Sequence, residues 1–98
     1  MTAYVISEVE VLDASVVEQY RSLAQATIAK YGGRYLARAG RVEPIEGEWA
    51  PRHIVIVEFP TLERAHEWYR SPEYGEALRL RATALDRRLI FVEGLPGL

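Results

Sequence analysis

One segment constrains this chain more than any other. From Arg52 to Phe59 it reads Arg-His-Ile-Val-Ile-Val-Glu-Phe. β-Branched residues fill positions 54 to 57, and Pro60-Thr61 closes the run, so it is predicted to be a β-strand. Successive side chains of a strand point to opposite faces of its sheet. This strand is therefore apolar on both, and a fold built around it has to cover both.

The rest of the chain bounds how that can be done. Its 98 residues make one domain, 49% hydrophobic and 27% charged, which is ordinary for a folded soluble protein and excludes disorder. A chain this short buries only about 60–65% of its unfolded surface, so a lone copy is expected to be marginal. There is no cysteine, hence no disulfide, thiol nucleophile or thiolate metal site. A net charge of −2 gives no electrostatic case for nucleic acid or an anionic membrane. Met1 to Glu8 has no basic leader, and the longest apolar runs, Ile54–Val57 and Leu89–Val92, are far too short to span a bilayer. A cytoplasmic location is expected.

Local signals order the elements. Ala3–Val11 is rich in β-branched residues and is predicted to be a strand. Asp13 or Ser15 offers an N-cap, Ser15 with Glu18 fitting a capping box. Val16, Val17, Tyr20, Leu23, Ala24, Thr27, Ile28 and Tyr31 then follow at helical spacing, until Gly32-Gly33 ends the helix. Arg34–Ala39 is predicted as the second strand, with Val42–Glu46 as a continuation beyond Gly40 and Gly47–Pro51 as a turn. After the strand 52–59, Thr61 caps a short helix bearing Leu62, Ala65, Trp68 and Tyr69. Ser71-Pro72-Glu73 starts another, with a cap, a proline at the first helical position and an acid near the positive end of the dipole. That helix is read through Tyr74, Ala77, Leu78 and Arg81 to Leu85, and Leu89–Glu93 is the last strand, ended by Gly94 and Pro96. The order β-α-β-β-α-β, with the second helix in two pieces, is the α+β ferredoxin-like arrangement: a four-stranded antiparallel sheet with its helices on one face.

What covers the other face is then the functional question. RNA-recognition modules share the element order, and their third strand places two aromatic residues on the open face to stack bases. Here those positions are Ile54 and Ile56, which have no π-face, so RNA binding is not expected. The comparison still sets the phase. Ile54, Ile56 and Glu58 belong on the open face with Tyr4, Ile6 and Glu8 of the first strand, and Val55, Val57 and Phe59 lie under the helices. A face so apolar calls for a second sheet, and a second copy of the chain supplies one; a homodimer is the expected assembly.

Several segments together resemble a family. Tyr4-Val5-Ile6, Tyr31-Gly-Gly-Arg-Tyr35, Glu46-Gly-Glu-Trp49, Glu58-Phe-Pro60 and Trp68-Tyr-Arg-Ser-Pro-Glu-Tyr74 look like the uncharacterised domain of unknown function 1330, in order and over nearly the whole chain. The resemblance implies the dimeric α/β-barrel superfamily, in which two ferredoxin-like units pack sheet to sheet. That superfamily includes cofactor-free antibiotic-biosynthesis-type monooxygenases, haem-degrading enzymes and muconolactone isomerase. It implies no established activity for the family itself.

Candidate chemistry is sparse. His53 opens the third strand near the surface. His66 follows Glu63 at the Glu-x-x-His spacing of di-iron bundles, but one such motif on a mostly β core does not make a metal site. Neither metal nor cofactor is expected. Glu10 and Glu93 read as solvated strand ends. Glu58 shares a face with Ile54 and Ile56 and needs a partner; a hairpin register centred on Glu48 sets Arg38 opposite it. Arg38 and Glu58 are the candidate catalytic pair, either as ligand anchor and proton acceptor or as an ion pair that only fixes register. Tyr4, Tyr20, Trp68, Tyr69 and Tyr74 are the candidate ligand-binding aromatics, amphipathic packing being the blander alternative for each. Arg79, Arg81, Arg87 and Arg88 are read as a solvated helix end, with an anion site as the alternative. The leading expectation is a small-molecule-binding domain, with cofactor-independent activity on a small aromatic or acidic compound within its reach. The rival is a non-catalytic ligand-binding or structural homodimer.

Overall fold

Caps and alternation set the elements. The computed structural model describes residues 1–96. It contains strand β1 (Ala3–Val11), helix α1 (Ala14–Lys30), strands β2 (Arg34–Ala37) and β3 (His53–Phe59), helices α2 (Leu62–Arg70) and α3 (Pro72–Ala84), and strand β4 (Leu85–Glu93). Asp13, rather than Ser15, is the N-cap of α1; its carboxylate accepts from the Ser15 amide at 2.9 Å. At the other end the Gly32 amide reaches Ala29 O and the Gly33 amide reaches Ile28 O, a Schellman closure. Gly32 has φ +83°, which favours glycine, and a Cβ on Gly33 would sit 2.7 Å from the Phe59 ring. Thr61 and Ser71 cap α2 and α3, each side-chain oxygen accepting an amide three residues on.

The four strands form one antiparallel sheet in the order β2-β3-β1-β4. Three helices lie on one face, which is the ferredoxin-like arrangement. The molecule measures 41 × 39 × 16 Å, thin enough for one sheet and one helical layer. The core lies between them. Phe59, Trp68 and Tyr74 are its largest fully buried side chains, stacked with centroids 5.3 Å (Phe59 to Trp68) and 4.2 Å (Trp68 to Tyr74) apart. Burial of such rings contributes about 2–3 kcal/mol each, and their contacts with one another a little more. The helices are joined at both ends. Lys30 and Tyr31 bond Glu73 at the start of α3, holding its carboxyl down at about 2. At the opposite end the Ala84 carbonyl accepts the amides of Leu12 and Asp13 at 2.9 and 3.2 Å.

Two boundaries differ from the sequence reading. α3 stops at Ala84, and Leu85, read as helical, is the first residue of β4, which starts four residues earlier than predicted. No glycine or proline marks that junction. β2 ends at Ala37, and neither Ala39 nor Val42–Glu46 is strand; 38 to 52 is a loop. Within it Ile45 is 86% and Trp49 60% exposed, the Trp49 indole donating to Glu8.

The bare face carries Tyr4 and Ile6 of β1, Ile54 and Ile56 of β3, and Leu36, Ile90 and Val92, as the alternation of β1 and β3 requires. Leu36, Ile90 and Val92 are 46, 58 and 41% exposed in the single chain.

Candidate functional site

Helix-facing side chains of the sheet do not all meet the helices. Between the layers lies a cavity of about 110 Å³. Its floor is Val5, Ser7 and Val9 of β1, with Val55 and Val57 of β3 and Leu89 of β4. Tyr20, Ala24 and Ile28 of α1, with Trp68 and Tyr74, form the roof. Most of this wall is apolar, with a few polar groups converging on it, as expected of a small-molecule site.

The deepest polar group is an array of three. Arg87 Nη1 donates to the Tyr20 hydroxyl at 2.7 Å, and the Tyr20 and Tyr74 hydroxyls lie 2.7 Å apart, buried. Two phenols own two hydroxyl hydrogens. Tyr20 accepts from Arg87, and one hydrogen closes the bond between the phenols. The other is left unused within the array. Burial drives the Tyr74 phenol far above its usual range, with the Tyr20 oxygen adding to the effect, so Tyr74 remains a neutral phenol. Burial pulls the Arg87 guanidinium down, but the neighbouring Tyr20 and Tyr74 outweigh it and leave the group firmly charged. The roof is fixed from behind: the Trp68 indole donates to Thr27 Oγ1 at 3.1 Å, which donates to Ala24 O at 2.8 Å.

Arg38, Arg21, Tyr35 and His53 also line the cavity. Arg38 corrects the sequence reading. It does not pair with Glu58. The register sets Arg34 opposite Glu58, and a bulge between Tyr35 and Ala37 shifts the strand by one residue. That extra residue turns Arg38 from the open face to the helix face. There its guanidinium lies 4.3 Å from the Tyr35 ring centroid and donates to Gln25 Oε1 at 3.0 Å. Glu58 stays on the open face, where Arg34 reaches it at 3.3 Å.

Of the five candidate aromatics, Tyr20, Trp68 and Tyr74 come together on the cavity wall. Tyr4 points to the open face. Tyr69 packs outside the cavity, against Trp68, Tyr74 and Phe91. Arg87, read as part of a solvated helix end, belongs to the site instead. Its signal was present: Leu85, Leu89 and Phe91 alternate on one face, and Arg87 falls in the same phase. His66 stacks edge-on against Phe91, and among the described residues no three His, Asp or Glu side chains gather. Among the described residues no helix is long and apolar enough to cross a membrane.

A family model described as domain of unknown function (DUF1330) matches residues 2–95. No curated protein matches the sequence. Among solved structures, a protein of unknown function from Rhodopseudomonas palustris is 21% identical, with 96% of this chain and 82% of that one aligned at a TM-score of 0.77. A dimeric ferredoxin-like protein of unknown function from Bacteroides fragilis is 18% identical over 95% of this chain and 96% of its own, at 0.65. SnoaB, a cofactor-independent oxygenase from Streptomyces nogalater, is 10% identical over 99% and 96%, at 0.69. At these identities the likeness is one of fold.

Proposed function

The chain belongs to this family of unknown function, and on that premise we propose that it is a homodimer that binds a small aromatic or acidic compound between helices and sheet and acts on it without a cofactor. The observation that carries this reading is the Arg87–Tyr20–Tyr74 array on the wall of an otherwise apolar cavity. A fixed guanidinium and one free phenolic hydrogen form a preorganised pocket for an oxygen that gains negative charge, the arrangement that stabilises enolates and phenolates. The fold shared with a cofactor-independent oxygenase supports the same chemistry. Without a cofactor, the electrons for dioxygen come from the deprotonated substrate, so holding the substrate as its anion is the protein's principal task. His53, an imidazole on the wall, is the proton acceptor in this reading. Glu58 has no part in it.

The homodimer follows from the bare sheet face. A two-fold axis would set its apolar patch against itself, and the dimeric description of a structural neighbour supports that assembly. A second reading, ligand binding without chemistry, draws on the absence of any carboxylate base from the cavity wall.

The test joins a thermal-shift screen of single-ring phenols and phenolic acids to oxygen-electrode measurements on the compounds that bind. Saturable oxygen uptake that is lost in Tyr74→Phe is expected. Binding without uptake favours the second reading, and no binding by any compound overturns both.

A further inference from the structure

Charge on the cavity wall is one-sided. Arg21, Arg38, Arg87 and His53 line it, and no Asp or Glu does. Arg21 is neutralised from outside by Glu18 at 2.8 Å. The other two guanidiniums have only neutral partners: Gln25 and the Tyr35 ring for Arg38, the Tyr20 hydroxyl for Arg87. Burial pushes the Tyr35 phenol up, against a smaller opposing effect of Arg38, so Tyr35 supplies no negative charge either. Two cations facing one apolar cavity without a counter-charge are a recognition element for an anion.

Their placement sets the shape of that anion. β2 and β4 are the two edge strands of the sheet, with β3 and β1 between them. Arg38, one residue past β2, and Arg87 therefore arise at opposite edges, separated by about 14 Å across the strands by three strand spacings, and both side chains line the cavity between. The fold takes a specific step to bring Arg38 there. The bulge at Tyr35–Ala37 reverses its face, and Ala39 follows at φ +60°, a left-handed conformation uncommon for a residue with a side chain. The enclosed space is small. A cavity of about 150 Å³ holds one benzene molecule, and this one is about 110 Å³, so it takes no more than a single ring, whose substituents have to lie at its mouth.

Resting on the small-molecule reading above, we infer that the ligand is a single-ring hydroxy acid, its ionisable hydroxyl on the Arg87–Tyr20–Tyr74 array and its carboxylate held by Arg38. Arg38 is then the specificity-determining residue, and the β2 bulge exists to aim it.

The test compares 4-hydroxybenzoate with 4-hydroxybenzamide, which differ in charge at one end and share the ring and hydroxyl. Calorimetric titration of the wild type should show the acid binding about tenfold more tightly than the amide, the usual worth of one charged hydrogen bond. Arg38→Gln should bring the two together by weakening only the acid, and Arg38→Lys should restore part of the difference. Arg79→Gln, which removes an exposed guanidinium paired with Glu76 away from the cavity, should keep the preference. Equal binding of acid and amide by the wild type, or a preference that survives Arg38→Gln, overturns the assignment of Arg38 and leaves the cavity reading standing. Failure of the wild type to bind either compound overturns both.

Discussion

The apolar patch of the bare face and the helix-side cavity treat charge in opposite ways. Beside the apolar patch of the bare face two carboxylates each meet a guanidinium: Glu8 meets Arg88 at 2.6 Å and Glu58 meets Arg34 at 3.3 Å, while Glu10 and Asp86 face each other at the far end of β1 and β4. On the helix face, Arg38 and Arg87 reach a cavity lined by no Asp or Glu among the described residues. The contrast separates two kinds of recognition. A surface that is to meet a copy of itself profits from charges already satisfied, because an unpaired charge buried at a two-fold interface faces its own likeness. A site for an anion has to keep its cations uncommitted and supported by neutral partners. Uncommitted cations on the cavity wall and paired charge beside the apolar patch are the contrast that separates the proposed ligand site from the proposed interface.

The largest test breaks the bare face. Ile56→Asp places an unpaired carboxylate in the centre of the patch, beside Ile6 on β1. It is expected to weaken self-association by about 3 kcal/mol or more, over a hundredfold in the dissociation constant, read by sedimentation equilibrium. Ligand binding on the other face should persist. A wild type that sediments as an 11.1 kDa monomer at micromolar concentration would remove the interface from the comparison. Next is Arg87→Met on the helix face. A partly buried cation without an acid partner gives little stability, so the melting temperature should hold or rise, a change within about 1 kcal/mol. Affinity for a phenolic acid should fall about tenfold or more. A strongly destabilised Arg87→Met would make the array a structural device and erase the distinction.

These arginines also show how much of the molecule was legible. Thr61, and Ser71-Pro72-Glu73, announce α2 and α3 because cap chemistry is local. The strand 53–59 shows in its own composition. The fate of Arg38 could not be read, because Arg-Tyr-Leu-Ala-Arg-Ala alternates equally well with or without an inserted residue; only pairing with β3 selects the bulge. Arg87 was concealed differently. With no breaker between Ala84 and Leu85, helical spacing runs on into the strand, and a strand arginine looks like a helix-end one. The aromatic wall was half visible: spacing brings Tyr20, Trp68 and Tyr74 to the inner sides of their helices. It could not say that Tyr69, one residue from Trp68, would stay outside.

Smaller effects sharpen the account of the bare face. Arg34→Ala removes a pair in which the arginine side chain is 72% exposed, so thermal unfolding should change by less than about 1 kcal/mol. A larger loss would mean that the pair is covered in the assembled protein. The smallest effect is one of pH. The Arg88 hydrogen bond, then that of Trp49, holds the Glu8 carboxyl below its ordinary value of 4.5. Its folded pKa is thus below its unfolded one. The stabilisation it gives is complete above about 4.5 and is lost as pH falls through the lower folded value. Melting temperature recorded from pH 6 to pH 3 should decline less steeply in Glu8→Gln than in the wild type; parallel curves would show that the pair adds nothing.

The two-ended attachment of α1 to α3 has a mechanical consequence. A roof hinged at one end swings; a roof pinned at both ends is a beam, and it does not open by rotation. Here the pins are Glu73 under Lys30 and Tyr31, and the Ala84 carbonyl under Leu12 and Asp13. The compliant side is the margin of the slab at β2, only four residues long, where the Arg38–Gln25 bond ties strand to helix across the mouth. On the proposed reading a ligand enters through that margin, and the side chain proposed to select it also ties the margin shut. Exchange of backbone hydrogens should follow the same division, slow along the pinned helices and fast along β2.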